Sequence, residues 1–200
     1  VGGLDEGTTA FFQALEKVCK ANDVVLILDE VQSGYGRSGK FFAHQHHNIK
    51  ADIICLAKGM GNGFPIGGIL ISPKFTASYG LLGTTFGGSH LACAAGISVL
   101  EVMESQKLMD NVNDVYAYFL EAIKQVPEVV KVKGKGLMLG AEFAFDVSEL
   151  RKKLIIEKHI FTGSANNKNL LRILPPLTIK KEAIDIFIKA LKETLLELKS

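Results

Sequence analysis

Apolar and polar positions along the chain follow two patterns, which predict two kinds of element. Short apolar runs predict strands, and the first two, rich in β-branched residues, are typical of strands buried in a parallel sheet. Apolar residues spaced three and four apart predict amphipathic helices. Strands are expected at 24–28, 53–56, 66–71, 129–132, 137–145 and 170–174. Helices are expected at about 9–22, 90–106, 110–125, 147–158 and 180–199, the first capped by Thr8 or Thr9.

Glycine and charge are distributed unevenly, which suggests two parts with different roles. Residues 1–100 carry 16 of the 20 glycines and 14 charged residues, whereas residues 101–200 carry 4 glycines and 30 charged residues. The order of elements predicts an α/β fold. Residues 1–108 would form part of a large domain with a mostly parallel sheet, and residues 109–200 a small α+β domain.

Overall composition is that of an ordinary globular protein, with 48% hydrophobic residues, 22% charged residues and a net charge of +2. We therefore expect neither nucleic acid nor a membrane as partner. The first residues have neither the basic nor the apolar segment of a signal peptide. Cys19, Cys55 and Cys93 stand far apart in apolar stretches, which is typical of buried, reduced thiols in a cytoplasmic protein.

Charged residues follow two of the predicted buried strands. Asp29 and Glu30 end the first strand, and Lys58 follows the second. Ligands of open parallel sheets bind beyond the carboxyl ends of the strands, and the adjoining glycine-rich loops allow backbone to approach a flat or phosphorylated ligand. Pyridoxal phosphate uses a lysine amine for a Schiff base and a carboxylate that keeps its ring nitrogen protonated. The pattern thus indicates this cofactor.

Five segments in order carry a resemblance to a known family. They are residues 25–39 (VLILDEVQSGYGRSG), 56–68 (LAKGMGNGFPIGG), 83–88 (GTTFGG), 134–140 (GKGLMLG) and 171–177 (LRILPPL). Together they resemble class III (ω-type) aminotransferases of fold type I, and within that family the members that act on N-acylornithine. The resemblance covers almost the whole chain but about the C-terminal half of such an enzyme. We therefore expect these residues to be part of a longer chain.

The resemblance implies roles for four residues around the cofactor. Lys58 would form the Schiff base with pyridoxal phosphate, and Asp29 would pair with the pyridinium nitrogen. Val31 would pack against one face of the ring. Gln32 would form a hydrogen bond near the phenolic oxygen.

The resemblance also implies a shared active site and a substrate anchor. Thr84 and Thr85 would bind the phosphate of the cofactor held by the partner subunit, which makes the expected assembly a homodimer. Arg172 would hold the α-carboxylate of a glutamate-type substrate by bidentate pairing. The phosphate loop departs from the family at Leu82 and at Ser89-His90, where the family usually has His and Asn-Pro.

The activity implied by the resemblance is transfer of the terminal (δ) amino group of N-acetylornithine or N-succinylornithine to 2-oxoglutarate. The products would be glutamate and the N-acylglutamate semialdehyde, a step of arginine biosynthesis in the cytoplasm. One alternative is another ω-aminotransferase, specific for ornithine, 4-aminobutyrate or a lysine derivative. The other is a truncated, non-catalytic dimerisation or binding module.

The same residues allow other interpretations. Residues 25–30 fit a Walker B strand and 34–40 have the spacing GxxxxGK, but Phe41 stands where a P-loop needs Ser or Thr, and the order is reversed. Taken alone, Lys58 could be a surface lysine, Asp29 a cap or turn residue, and Arg172 part of a structural ion pair. The histidines at 44, 46 and 47 lack acidic or cysteine ligands beside them, so we expect a solvated loop and no metal site.

Overall fold

A computed structural model describes residues 2–199 of the chain. The helices are α1 (Thr9–Ala21), α2 (His90–Ser105), α3 (Leu108–Ile123), α4 (Ser148–Ile156) and α5 (Lys181–Glu197). The strands are β1 (Ile27–Asp29), β2 (Ile53–Leu56), β3 (Gly68–Ile71), β4 (Val129–Lys135), β5 (Met138–Phe143) and β6 (Leu170–Ile173). The chain forms two compact units. The first unit is Gly7–Leu108, and the second combines the described residues up to Glu6 with those from Met109 onward.

The first unit is built on a three-stranded sheet in the order β1-β2-β3. β1 and β2 are parallel, with Ile27 opposite Ile53 and Asp29 opposite Cys55. β3 pairs with β2 in the antiparallel direction. Two 3-10 turns follow the parallel strands, at Ala43–His46 and at Lys58–Met60. The parallel pair therefore sends both of its carboxyl ends to the same edge of the sheet.

The apolar surface of the first unit is largely uncovered, which contradicts the prediction of buried strands. All four residues of β3 are exposed, and Ile27 of β1 is 55% exposed. The apolar face of α1 is also open, since Phe11 and Val18 are more than half exposed and Cys19 is its only buried residue. The reason is that the described residues of this unit supply too few layers to cover these faces.

The second unit has a closed apolar core. Its sheet is antiparallel in the order β4-β5-β6, and the apolar residues of α3, α4 and α5 pack on it. Phe119 of α3 and Phe187 of α5 stack with ring centroids 6.3 Å apart. The helical spacing of apolar residues in α3 and α5 predicted this packing, because residues three and four apart share one helix face.

The hairpin between β4 and β5 differs from the predicted one. Residues 133–136 were expected to form the turn, but β4 continues to Lys135, which pairs with Met138. The loop is therefore Gly136-Leu137, and Gly136 has a positive φ of 60°. A two-residue hairpin loop with glycine at its first position matches the twist of the strands, so the tighter turn is preferred.

Gly134 makes this hairpin possible, and its replacement is expected to destabilise the second unit. Its φ is +85°, and an added Cβ would lie 1.9 Å from the Met138 carbonyl oxygen. We expect Gly134→Ala to lower the free energy of unfolding by at least about 2 kcal/mol in denaturant titration. Gly80→Ala is the matched control, because Gly80 has a φ of +79° with no atom near the added Cβ. Equal losses for both variants would contradict the predicted clash.

The three cysteines do not share one environment. Cys19 is buried and Cys55 half-buried, but Cys93 is exposed, so the expectation of three buried thiols is wrong for Cys93. Its position on α2 explains this, since most of the neighbouring helix surface is exposed as well. All three are free thiols. None of the helices in the described part of the chain has the length and apolar composition needed to span a bilayer.

Candidate active site

The ends of β1 and β2 place Asp29 and the segment leading to Lys58 at one edge of the first sheet. Asp29 is the last residue of β1 and lies opposite Cys55. The Glu30 N–H donates to the Cys55 carbonyl oxygen at 3.0 Å, which continues the parallel pairing one residue further. Lys58 follows Cys55 by three residues, after β2 ends at Leu56. The register thus brings the two candidate chemical groups to the same end of neighbouring strands.

The carboxylate of Asp29 organises the turn that follows it. Its Oδ1 accepts the Val31 N–H at 2.9 Å, an Asx-type turn. Oδ2 has no hydrogen bond within residues 2–199, and the residue is exposed. Val31 and Gln32 are half-buried in this turn. Asp29 therefore keeps one carboxylate oxygen available for a cationic partner.

Lys58 has an uncommon backbone conformation. Its φ is +46°, in the left-handed region that costs an L residue about 1–2 kcal/mol. The strain is held by the 3-10 turn, in which the Lys58 carbonyl accepts the N–H groups of Gly61 and Asn62, both at 3.2 Å. Its side chain is exposed and has no ion pair within the described residues. Seven other non-glycine residues among residues 2–199 also have a positive φ, so this conformation by itself does not single out Lys58.

Close packing fixes the turn of Lys58 from two sides. A Cβ on Gly59 would lie 2.9 Å from the Cβ of Tyr35, so only glycine fits there. Gly96 of α2 lies on the other side of the turn. A Cβ added to Gly96 would lie 3.6 Å from the Met60 carbonyl oxygen. Burial raises the pKa of the Tyr35 hydroxyl and lowers that of the Arg37 guanidinium in the glycine-rich loop. The turn is thus packed against a loop with a desolvated interior.

Thr84 and Thr85 lie in a different part of the first unit, an exposed loop between β3 and α2. Leu82 and Phe86 are 70% and 84% exposed, although both are large apolar side chains. A Cβ on Gly87 would meet the Thr84 methyl at 2.1 Å, so a larger residue there requires the exposed Thr84 side chain to rotate. The loop presents its hydroxyl and apolar groups outward.

Arg172 lies in the second unit, in the middle of β6. It pairs with Gly140 of β5 and forms an isolated bridge to Gly163, with N–H···O distances of 2.8 and 3.0 Å. Its Nε and Nη1 are buried and have no hydrogen-bond partner in the described part of the chain. A Cβ on Gly163 would lie 3.1 Å from Nε. No ion pair among residues 2–199 includes Arg172.

These observations test whether the chain fits pyridoxal phosphate and a carboxylate substrate. Lys58, with an exposed side chain, and Asp29, with one carboxylate oxygen that has no hydrogen bond within residues 2–199, follow neighbouring strands at the same end of the sheet. The cofactor's aldehyde requires an amine, and its ring nitrogen requires a carboxylate. Buried guanidinium donors without partners are costly unless an anion satisfies them. The residues present therefore fit both groups.

The sequence missed a buried polar network beside Asp29. His44 Nδ1 lies 3.0 Å from Glu30 Oε1, and His46 Nε2 lies 3.0 Å from the Ser38 carbonyl oxygen. His47 Nδ1 lies 3.0 Å from Thr9 Oγ1. The expected solvated loop is therefore wrong, because each histidine is half-buried and bonded. The sequence feature that could have indicated this network is Glu30, a second acidic residue next to Asp29 at the end of a strand. Within residues 2–199 no cluster of three potential metal ligands occurs.

Comparisons with known proteins agree on one family. The family profile "Aminotransferase class-III" matches residues 1–195. The acetylornithine aminotransferase of Aquifex aeolicus is 45% identical over 196 residues, covering 97% of this chain and 51% of that protein.

Solved structures with the same fold include two aminotransferases. The ornithine aminotransferase of Toxoplasma gondii matches with a TM-score of 0.88 and 26% identity, over 98% of this chain and 49% of that one. The N-acetylornithine aminotransferase of Stenotrophomonas maltophilia matches with a TM-score of 0.80 and 28% identity, over 98% and 53%. The predicted α/β fold of type I is thus confirmed.

The chain spans about half the length of the curated relatives it matches. Class III aminotransferases depend on pyridoxal phosphate. The family match over nearly all residues, together with the fold, confirms the resemblance carried by the five segments. The chain belongs to the class III aminotransferase family.

Proposed function

We propose that this chain provides the C-terminal part of a pyridoxal phosphate-dependent aminotransferase acting on N-acetylornithine and 2-oxoglutarate. The observation that carries the proposal is the pairing of β1 with β2, which puts Asp29 and the strained Lys58 turn at one sheet edge. The names of the curated relatives support the choice of substrate. When bound, the cofactor supplies a protonated ring that withdraws electrons from the substrate carbon that loses its proton.

The first unit would bind the cofactor. The Lys58 amine would hold it covalently and, once released, move a proton to or from the substrate carbon. The free Oδ2 of Asp29 would keep a proton on the ring nitrogen, while Oδ1 stays bonded to the Val31 N–H. Val31 would contact the ring face, and Gln32 would bond near the phenolic oxygen. We propose that residues 1–108 belong to the large domain and 109–200 to the small domain; the compact units divide the chain near the same point, except that the described residues up to Glu6 group with the second unit.

Arg172 would bind the substrate carboxylate. Its guanidinium has buried Nε and Nη1 groups without a hydrogen-bond partner among residues 2–199, and guanidinium groups bind carboxylates by charge-assisted pairing. The exposed loop of Thr84 and Thr85 supports a homodimer in which these hydroxyls bind the partner's cofactor phosphate. The proposed location is the cytoplasm, which is supported by three free cysteines.

A second candidate substrate is free ornithine. It is favoured by the structural match to an ornithine aminotransferase with a TM-score of 0.88. The two substrates differ in the charge on the α-nitrogen, since acylation removes the positive charge. Initial rates with both amines, at equal 2-oxoglutarate, distinguish them. We expect a higher kcat/KM for N-acetylornithine, and a preference for free ornithine would overturn the choice of substrate.

Borohydride labelling tests the proposed cofactor attachment. The complete polypeptide, loaded with pyridoxal phosphate, is reduced with borohydride, digested and mapped by mass spectrometry. We expect a reduced cofactor adduct on the peptide that contains Lys58. Labelling on another lysine, or none, would contradict the proposed function.

A further inference from the structure

The carboxylate of Glu30 is the most buried acidic group beside the candidate site, at 3% exposure. Oε2 accepts the Ser33 hydroxyl at 2.5 Å and the Ala43 N–H at 3.1 Å. Oε1 accepts the His44 N–H at 2.9 Å and lies 3.0 Å from the His44 Nδ1. In its ionised form the carboxylate can only accept, and the contact with His44 then requires a hydrogen on Nδ1. All acceptor positions of this buried group are thereby used.

These bonds join three elements around one residue. Ala43 and His44 begin the 3-10 turn Ala43–His46, so Glu30 satisfies the first N–H groups of that turn. The Glu30 N–H donates to Cys55 of β2 at 3.0 Å, and its carbonyl accepts the Gly34 N–H at 2.9 Å. Phe42 stacks on the His44 ring with centroids 5.5 Å apart. Glu30 is therefore held by both its backbone and its side chain.

The residues on either side of Glu30 are those proposed to meet the cofactor. Asp29 precedes it, and Val31 and Gln32 follow it. Within residues 2–199, a further side-chain bond in this turn joins the Asp29 Oδ1 to the Val31 N–H. Because this turn is outside the sheet, the β-ladder does not fix it beyond Glu30. The anchored Glu30 side chain therefore determines how the turn leaves the sheet.

We propose that Glu30 is a positioning residue, whose bonds to Ser33, Ala43 and His44 hold the Asp29–Gln32 turn in the geometry that receives the cofactor ring. This inference rests on the proposed function. Glu30 acts through Asp29 and Gln32 and does not itself contact the cofactor or the substrate. It explains why a buried carboxylate, which is costly to desolvate, stands beside the site.

Glu30→Gln tests the proposal, because it keeps the size of the side chain and removes the charge. The amide has one oxygen, so at least one of the donors would face an NH₂ group and lose its bond. Bonds to charged groups are strong, so we expect pyridoxal phosphate to bind roughly ten- to a hundredfold more weakly in the complete polypeptide. The pH titration of the bound cofactor's absorbance should also shift, since Asp29 would no longer be held against the ring nitrogen.

Glu104→Gln is the matched control, an identical change at an exposed glutamate of α2 in the same unit. We expect its affinity for pyridoxal phosphate and its absorbance titration to equal those of the unchanged protein. Ser33→Ala removes one of the four bonds and should give a smaller loss of affinity in the same direction. This milder variant keeps the test decisive if Glu30→Gln folds poorly.

Hydrogen exchange without cofactor gives a second readout. We expect faster exchange of the amides of residues 31–34 in Glu30→Gln and Ser33→Ala, and no change in Glu104→Gln. Equal exchange and equal cofactor affinity across all three variants would overturn the positioning role. A purely structural role would lower the melting temperature and leave the absorbance titration of the folded fraction unchanged. Failure of the unchanged protein to bind the cofactor at Lys58 would instead reject the proposed function.

Discussion

Lys58→Ala is expected to lower turnover of N-acetylornithine by about a thousandfold or more and to remove covalent attachment of the cofactor. Positioned general acid–base groups contribute a factor of about 10²–10⁴, and this lysine would also supply the covalent bond. The exposed side chain of Lys58 projects from a turn with a positive φ. Close packing of Gly59 against Tyr35 holds this turn in place. Initial-rate assays of the complete, cofactor-loaded enzyme measure the first effect, and mass spectrometry after borohydride reduction measures the second.

Two further variants separate this role from a general effect of lysine charge. Lys58→Arg keeps the positive charge but has no amine for a Schiff base, so we expect a comparably severe loss of activity. Lys17→Ala removes an exposed lysine of α1 in the same unit and should leave the rate unchanged. Retention of near-normal turnover by Lys58→Arg would show that Lys58 acts only as a cation.

Asp29→Asn is expected to reduce kcat by about a hundred- to a thousandfold while leaving the local fold intact. Removing a single preorganised electrostatic group from an active site has effects of about this size. Asparagine keeps an Oδ1 that can accept the Val31 N–H, so the turn is retained. What it loses is the negative charge that would hold the proton on the ring nitrogen. Rates at saturating substrate, together with thermal unfolding, measure the two consequences separately.

The control for this change is Asp23→Asn, also in the first unit. Asp23 is 90% exposed and forms a surface ion pair with Lys74 at 3.0 Å, of a kind that contributes little to stability. Its φ of +52° is one that asparagine tolerates. We expect normal activity from Asp23→Asn. A fall in kcat of the same size in both variants would refute the special role of Asp29.

Local signals in the sequence were sufficient for several elements. Thr8 caps α1 as predicted, with its Oγ1 accepting the Phe11 N–H at 3.1 Å. β2 has the predicted bounds 53–56, because its apolar run ends abruptly on both sides. β1 is shorter than predicted and shifted, at Ile27–Asp29. The bounds of a strand depend on the partner that offers hydrogen bonds. β1 begins at Ile27 because the pairing with β2 begins there, opposite Ile53.

The residues of the candidate site that could be predicted are those marked by their position along the chain. Asp29 and Lys58 could be selected because each follows an apolar run and adjoins glycine-rich loops. Their roles, and those of Val31, Gln32, Thr84, Thr85 and Arg172, remain predictions until the variants are measured.

The family, the kinds of element and the order of the candidate residues along the chain follow from the amino-acid sequence. The folded structure adds that Asp29 lies opposite Cys55, that Glu30 is buried against His44, and that Arg172 has buried donors without partners among residues 2–199. Those facts depend on contacts between residues distant along the chain. Hydrophobic periodicity reports the environment of each element, but the pairing and burial of particular polar groups arise when the elements pack together.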